Sequence, residues 1–183
     1  MSKAVIFFAP GLEECEGLLC VDILRRAGVE VTIAAVGGEK IVKSARQISV
    51  VADALAEELD YTVFDACILP GGIPGTPNLA ENKTVTDTCV SFAKAGKKVA
   101  AICAAPGLLG EWGLLQGRRA TCYPSAEEKC AGAVLTRGEV CTDGNLVTGR
   151  GLGAAIPFGL ALVGHIAGQA ESARIQEAIV YMH

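Results

Sequence analysis

The sequence predicts an α/β protein with a mainly parallel sheet and helices on both faces. Three observations predict it. Short apolar runs alternate with longer segments of helical period along the 183 residues. Several of the runs are apolar throughout, which marks strands buried on both faces. Glycine or proline stands where many of the segments meet, as turns and helix ends require. The length fits one domain, 1–183, with room for a full core.

The elements follow in order. Residues 4–9 form an uninterrupted apolar run and read as the first strand. Residues 14–27 carry Leu18, Leu19, Val21, Leu24 and Arg25 in a helical pattern, and Gly28 is placed to end that helix. Residues 29–36 are rich in β-branched side chains and read as a second strand, 48–51 as a short strand, and 54–59 as a short helix. A buried strand at 66–69 ends in Pro70-Gly71-Gly72. A helix at 83–95 stops at Gly96, and the strand 98–102 runs into Cys103. Beyond it the pattern loosens. Short strands are expected at 120–122, 134–136, 140–141 and 146–148, with a short helix at 125–130 and a turn at Asp143-Gly144-Asn145. Helices at 154–167 and 170–181 close the chain.

Composition narrows the function. Hydrophobic residues make up 51% and charged residues 20%, so the chain is globular rather than disordered. Its net charge is −4 and no Lys/Arg run exceeds two residues, so no nucleic-acid or anionic-membrane partner is expected. The N-terminal apolar run is too short for a secretory signal, and the stretch 152–167 is too short and too rich in Gly and Pro for a membrane span. A cytoplasmic location is expected. The eight cysteines are read as free thiols, because the chain needs no staples and several of them lie inside strands. No Cys-x-x-Cys pair occurs and the histidines are only His165 and His183, so no metal site is expected.

Chemistry concentrates at Cys103. An apolar strand, a cysteine, two alanines, Pro106 and a helical segment make the pattern of a nucleophile on a sharp strand-to-helix turn. Such a turn exposes the sulfur to free backbone N–H groups, which favour thiolate. The plainer reading is a buried structural cysteine. Ligands of parallel sheets bind beyond the carboxyl ends of the strands. There Cys103–Pro106 would meet Pro70–Gly75 and Pro10–Glu16. Glu13, Glu14 and Glu16 all suit the first turn of a helix, and the sequence leaves open which one points inward. Glu16, if inward, would meet Cys103, and the stable pairing is a protonated carboxyl against a thiolate. Gly71 and Gly72 permit close backbone approach. The N–H groups of Gly72 and Ala104 are candidate oxyanion donors, although a plain tight turn explains the glycines equally well. Gly149–Gly153 lacks the spacing of a phosphate loop, and nucleotide binding is not expected.

Pro10-Gly11-Leu12-Glu13-Glu14-Cys15-Glu16, Arg25–Gly28, Leu69–Gly72 and Ala101–Pro106 resemble the ThiJ/PfpI superfamily, in the branch of the Parkinson-disease protein deglycase and its bacterial relatives. Ser44-Ala45-Arg46, Tyr123-Pro124 and Gly149–Gly153 extend the likeness over nearly the whole chain. The resemblance implies a flavodoxin-like sandwich and a homodimer. It implies Cys103 as nucleophile, Glu16 as its protonated partner, and Gly72 and Ala104 as backbone donors. Arg46, Gly71, Tyr123 and Pro124 are candidate pocket residues. Two departures stand out. Ala104 replaces the histidine that follows the nucleophile in the protease-like branch. Tyr123 replaces a histidine before proline that many deglycase-branch members carry, and a phenol is too weak a base at neutral pH to substitute for imidazole.

The implied activity is a glyoxalase or deglycase that needs no metal or other cofactor. It would act on methylglyoxal-type α-oxoaldehydes, or on their early adducts with protein side chains. The alternative is a cysteine-based oxidative-stress sensor or redox-regulated chaperone with little turnover, since an accessible thiolate oxidises readily.

Overall fold

The computed structural model describes residues 1–182, so His183 lies outside the described residues. The elements are β1 (Lys3–Phe8), α1 (Glu14–Arg26), β2 (Glu30–Ala35), β3 (Ile41–Lys43), β4 (Ser49–Val51), β5 (Ala54–Leu55), β6 (Ala66–Leu69), α2 (Gly75–Glu81), α3 (Lys83–Lys94), β7 (Lys98–Ile102), α4 (Pro106–Glu111), β8 (Arg119–Ala120), β9 (Val134–Leu135), β10 (Val140–Asp143), β11 (Leu146–Gly149), α5 (Ala155–Ile166) and α6 (Gln169–Ala178). One seven-stranded sheet runs in the order β10-β11-β7-β6-β1-β2-β5. Every pairing in it is parallel except β10 with β11.

β1 shows why its sequence is apolar without alternation. Its side chains point to opposite faces in turn, and both faces are covered. Ala4, Ile6 and Phe8 join a core with Ile23 and Leu24 of α1 and Phe158 of α5. Val5 and Phe7 join a second core with Cys89 and Phe92 of α3 and Leu109 of α4. The helix ends follow the expected chemistry. Glu13 caps α1 by accepting the Glu16 N–H at 2.7 Å, and Asn82 caps α3 by accepting the Val85 N–H at 3.2 Å.

The structure corrects the sequence reading in places. Residues 54–59 have helical composition, yet Ala54 and Leu55 pair with Ala34 and Ala35 as an edge strand, followed by a 3₁₀ turn at Ala56–Glu58. Sheet pairing overrides local propensity there. Of the expected strand at 120–122 only Ala120 is strand, in β8, which pairs with β9 outside the main sheet, and the expected helix at 125–130 is a 3₁₀ segment, Pro124–Lys129. The last helix ends at Ala178, short of the expected Tyr181. α2 lies outside the elements expected from the sequence, where Pro74, Gly75 and Pro77 interrupt any helical pattern. Pro77 is the third helical residue, in the first turn, where no intrahelical N–H bond is needed. β3 was not foreseen either. It forms a hairpin with β4. No helix among the described residues is long and apolar enough to cross a membrane.

Candidate active site

Three adjacent strands, β7, β6 and β1, end at the same edge of the sheet, and the residues that follow them converge. β7 delivers Cys103. Its backbone is left-handed, with φ 65°, a region that a residue with a side chain seldom occupies. Two hydrogen bonds hold it there. The Cys103 N–H donates to the Gly149 carbonyl at 3.0 Å, and the Cys103 carbonyl accepts the Tyr123 N–H at 2.7 Å. The side chain is half-buried. The turn is the expected elbow, but the helix behind it, α4, has only six residues and starts at Pro106. The N–H that reaches the sulfur is that of Ala104, joined by that of Gly72. The donors foreseen for a substrate oxyanion therefore already converge on Sγ.

β1 and its loop deliver Glu16. Of the three glutamates, Glu13 faces back to cap α1, while Glu14 and Glu16 are both buried. Glu16 is the one at Cys103, its carboxyl hydrogen-bonded to the thiol. Glu16 Oε2 accepts the Gly71 N–H at 2.9 Å. Glu16 Oε1 is buried without a further protein donor, as is Glu14 Oε2. A buried anionic oxygen without a donor is costly, so the position favours a protonated carboxyl at Glu16.

β6 delivers the two glycines, and each is required. Gly72 has φ 102°, and a Cβ there would fall 2.2 Å from the backbone nitrogen of Glu13. A Cβ on Gly71 would lie 2.6 Å from Cys103 Cβ, 2.7 Å from Glu16 Oε2 and 3.1 Å from Cys103 Sγ. Gly71 is therefore the spacer that lets the thiol and the carboxyl share one small space.

Burial pushes Glu16 up to about 7, opposed by its hydrogen bonds to Cys103 and to the Gly71 N–H. Burial and the nearby Glu16 carboxyl push the Cys103 thiol up to about 12, opposed by the Ala104 and Gly72 N–H groups. This corrects the expectation of a thiol simply depressed below its ordinary range. The two groups titrate as a pair: a first proton leaves near 7 and a second near 12. The singly protonated pair spans neutral to alkaline pH. Both shifts place that proton on the sulfur, where the thiol donates to the Glu16 carboxylate; its transfer to Glu16 gives the reactive form, a thiolate facing three donors.

The remaining candidates are distributed differently. Tyr123 and Pro124 line a cavity of about 360 Å³ with Arg150 and Gly151. Tyr123 serves Cys103 through its backbone N–H, and its side chain is half-exposed. Arg46 lies on the exposed turn between β3 and β4, with no ion pair among the described residues, and the structure does not bring it to Cys103. That turn is tied to the site loop by the Ala45 N–H, which donates to Leu12 O at 2.8 Å. A second cavity of about 380 Å³ is lined by Ala104, Ile73, Thr76 and Leu108 among others. His165 lies in α5 and lines a cavity with Ser2, Asp65 and Lys98, which mark the opposite end of the strands. Among the described residues no group of three or more His, Cys, Asp or Glu side chains is placed to hold a metal ion. Gly149, whose carbonyl anchors Cys103, was not singled out for that role. A carbonyl acceptor leaves no trace in residue type.

An elbow cysteine facing a buried carboxyl at the carboxyl edge of a doubly covered parallel sheet defines a class of α/β proteins. The chain belongs to the DJ-1/PfpI family, whose model it matches over residues 2–165. It is 35% identical over 183 residues to protein dj-1beta of Drosophila melanogaster, covering 98% of each chain. It is 39% identical over 182 residues to protein DJ-1 homolog B of Arabidopsis thaliana, covering 97% of this chain but only 41% of that longer relative. The glutathione-independent glyoxalase DJR-1.2 of Caenorhabditis elegans is 31% identical over 164 residues, covering 88% of this chain and 87% of that one. The solved structure of oxidized DJ-1 from Toxoplasma gondii superposes with a TM-score of 0.96 over the whole of both chains at 32% identity. The fold is the flavodoxin-like sandwich of these neighbours.

Proposed function

We propose that the chain is a cysteine-dependent glyoxalase of the deglycase type. It acts on methylglyoxal-like α-oxoaldehydes or on their early adducts with protein side chains, in the cytoplasm, as a homodimer. The observation that carries this reading is the shared space around Gly71, where Cys103 Sγ and Glu16 Oε2 both lie within contact of a Cβ-sized volume. The glyoxalase name of the Caenorhabditis elegans relative supports it.

The steps use groups of this chain. Cys103 thiolate attacks the aldehyde carbon. A C–S bond forms, the C=O π pair moves to oxygen, and that oxygen takes the Glu16 proton to give a hemithioacetal. Glu16, now a carboxylate, removes the hydrogen on the former aldehyde carbon to give an enediolate, the hydroxyl proton on that carbon passes to the neighbouring oxygen, and Glu16 returns its proton to the neighbouring carbon, leaving a 2-hydroxy thioester. Water cleaves the thioester. Methylglyoxal and one water thus become lactic acid, and the thiolate is restored. The Gly72 and Ala104 N–H groups, already turned to the sulfur, are placed to hold oxyanions one atom away. The exposed Cys15 and Leu18 of α1 lie on the helix that carries Glu16 and are the proposed dimer contact.

The test follows methylglyoxal loss with lactate quantified, in the native chain and in Cys103→Ala. Lactate formed only by the native chain is expected. Equal consumption by both, without lactate, would overturn turnover and leave the redox-sensor alternative.

A further inference from the structure

A cavity of about 380 Å³ opens beside the candidate active site. It begins at the backbone donors that face Cys103 Sγ: Ala104 lines it, and so does Ile73, the residue after Gly72. Its walls are α2, α4 and the 3₁₀ segment Pro124–Lys129, which supply Ala80, Leu108 and Ala126. α4 and the 3₁₀ segment are locked together, since a Cβ on Gly110 would fall 2.2 Å from the Lys129 carbonyl oxygen. Thr76 is the one polar residue of the walls that is buried, and its hydroxyl has no hydrogen-bond partner among the described residues. A hydroxyl left unbonded is a cost that a ligand oxygen would offset. Charge stays at the mouth. Glu81, Glu111 and Lys129 are exposed there, and Lys129 pairs with Glu111 at 3.2 Å.

We propose that this cavity is a substituent subsite. It holds the group carried on the keto carbon of the α-oxoaldehyde and selects a neutral branched alkyl group over the methyl of methylglyoxal. The inference rests on the function proposed above. Position, size and charge carry it. In the hemithioacetal on Cys103 the keto carbon is one bond beyond the carbon joined to sulfur. With the oxygens held by the Gly72 and Ala104 N–H groups, its substituent is within reach of the space that Ala104 and Ile73 open. The volume lies in the range that encloses ligands much larger than methylglyoxal, whose methyl would leave most of it to water. Each further methylene set against Ala80, Leu108 and Ala126 favours the larger substrate by about tenfold or more. At the mouth two carboxylates stand against one ammonium, which disfavours an anionic substituent. The chemistry is unchanged: the oxoaldehyde and one water give the corresponding 2-hydroxy acid, with no oxidant or reductant.

The experiment measures kcat/KM for isobutylglyoxal and methylglyoxal in the native chain and in Ala80→Leu, whose longer side chain fills the cavity from α2. The native ratio should favour isobutylglyoxal by about tenfold or more, and Ala80→Leu should lower that ratio by about the same factor. A second measurement needs neither turnover nor a cavity variant. Alanine-methyl NMR follows Cys103→Ala titrated with isobutyl methyl ketone, and with acetone as the small control. Saturable shifts of the Ala80, Ala104 and Ala126 methyls are expected from the larger ketone at concentrations where acetone gives none. Methylglyoxal turnover without a preference for isobutylglyoxal would overturn the subsite and leave the proposed function standing. A preference untouched by a folded Ala80→Leu would overturn it too. If neither aldehyde gave a 2-hydroxy acid, the proposed function would fail instead, and the ketone titration would decide the cavity alone: unshifted methyls at the three alanines would overturn it as an apolar ligand site.

Discussion

The two ends of the central sheet are built on opposite terms. At the end where β1, β6 and β7 begin, side chains match backbone groups. Asp65 accepts the Lys3 N–H at 2.9 Å, and Lys97 Nζ reaches the carbonyls of Phe64 at 2.7 Å and Thr62 at 3.0 Å. Asn145 Nδ2 donates to Lys97 O at 2.9 Å and Ala93 O at 3.3 Å. At the end where the same strands finish, Cys103 is held at positive φ and a buried carboxyl oxygen of Glu16 lacks a partner. Apart from His165 Nε2, buried without a partner, the polar groups named at the first end are matched, while strain and an unmatched carboxyl fall at the end that carries the chemistry. Changes at the two ends should therefore separate activity from stability.

The largest effect is expected for Cys103→Ala, which should cut lactate formation by on the order of 10³-fold or more while the thermal midpoint stays level or rises, since the change removes a half-buried thiol from beside the Glu16 carboxyl and leaves the backbone of the turn as it is. Steady-state kinetics beside a melting curve checks both halves. Glu16→Gln should come next, lowering kcat by about 10²-fold through loss of proton transfer. The same variant sharpens the comparison through pH. The folded Glu16 is raised from an ordinary 4.5 to about 7, so its contribution to stability is full at low pH and is lost as pH rises through 7. Relative to native, Glu16→Gln should gain about 3 kcal/mol of stability between roughly pH 4 and pH 8. Urea denaturation at both pH values measures it, and a pH-independent difference would remove the buried-acid argument. The smallest effect belongs to the other end. Asn145→Ala strips donors from two carbonyls and should cost about 1–3 kcal/mol while leaving kcat/KM within twofold.

Much of this architecture was legible because strands buried on both faces are written as unbroken apolar runs, as in β1, β6 and β7. The elbow was legible because Cys103 stands directly between such a strand and Pro106. Other features were not. Glu13, Glu14 and Glu16 are alike in composition, and only the fold shows Glu13 spent on a cap and Glu16 turned to the thiol. β5 was hidden because its two residues are strand by virtue of the edge they pair with. The coupling of Cys103 to Glu16 was foreseen as a depressed thiol, but burial raises both partners, and burial is a tertiary property. Arg46, which the family likeness put at the pocket, lies on an exposed turn.

The central claim is that Glu16 and Cys103 share one proton at neutral pH. Carbon-13 NMR of glutamate-labelled protein, with Glu16→Gln to identify the resonance, follows that carboxyl directly as pH is raised. The account predicts a midpoint near 7 in the native chain, moved upward in Cys103→Ala, where the thiol hydrogen bond that favours the carboxylate is gone. A Glu16 carboxyl that titrates near its ordinary 4.5, indifferent to Cys103, would contradict it.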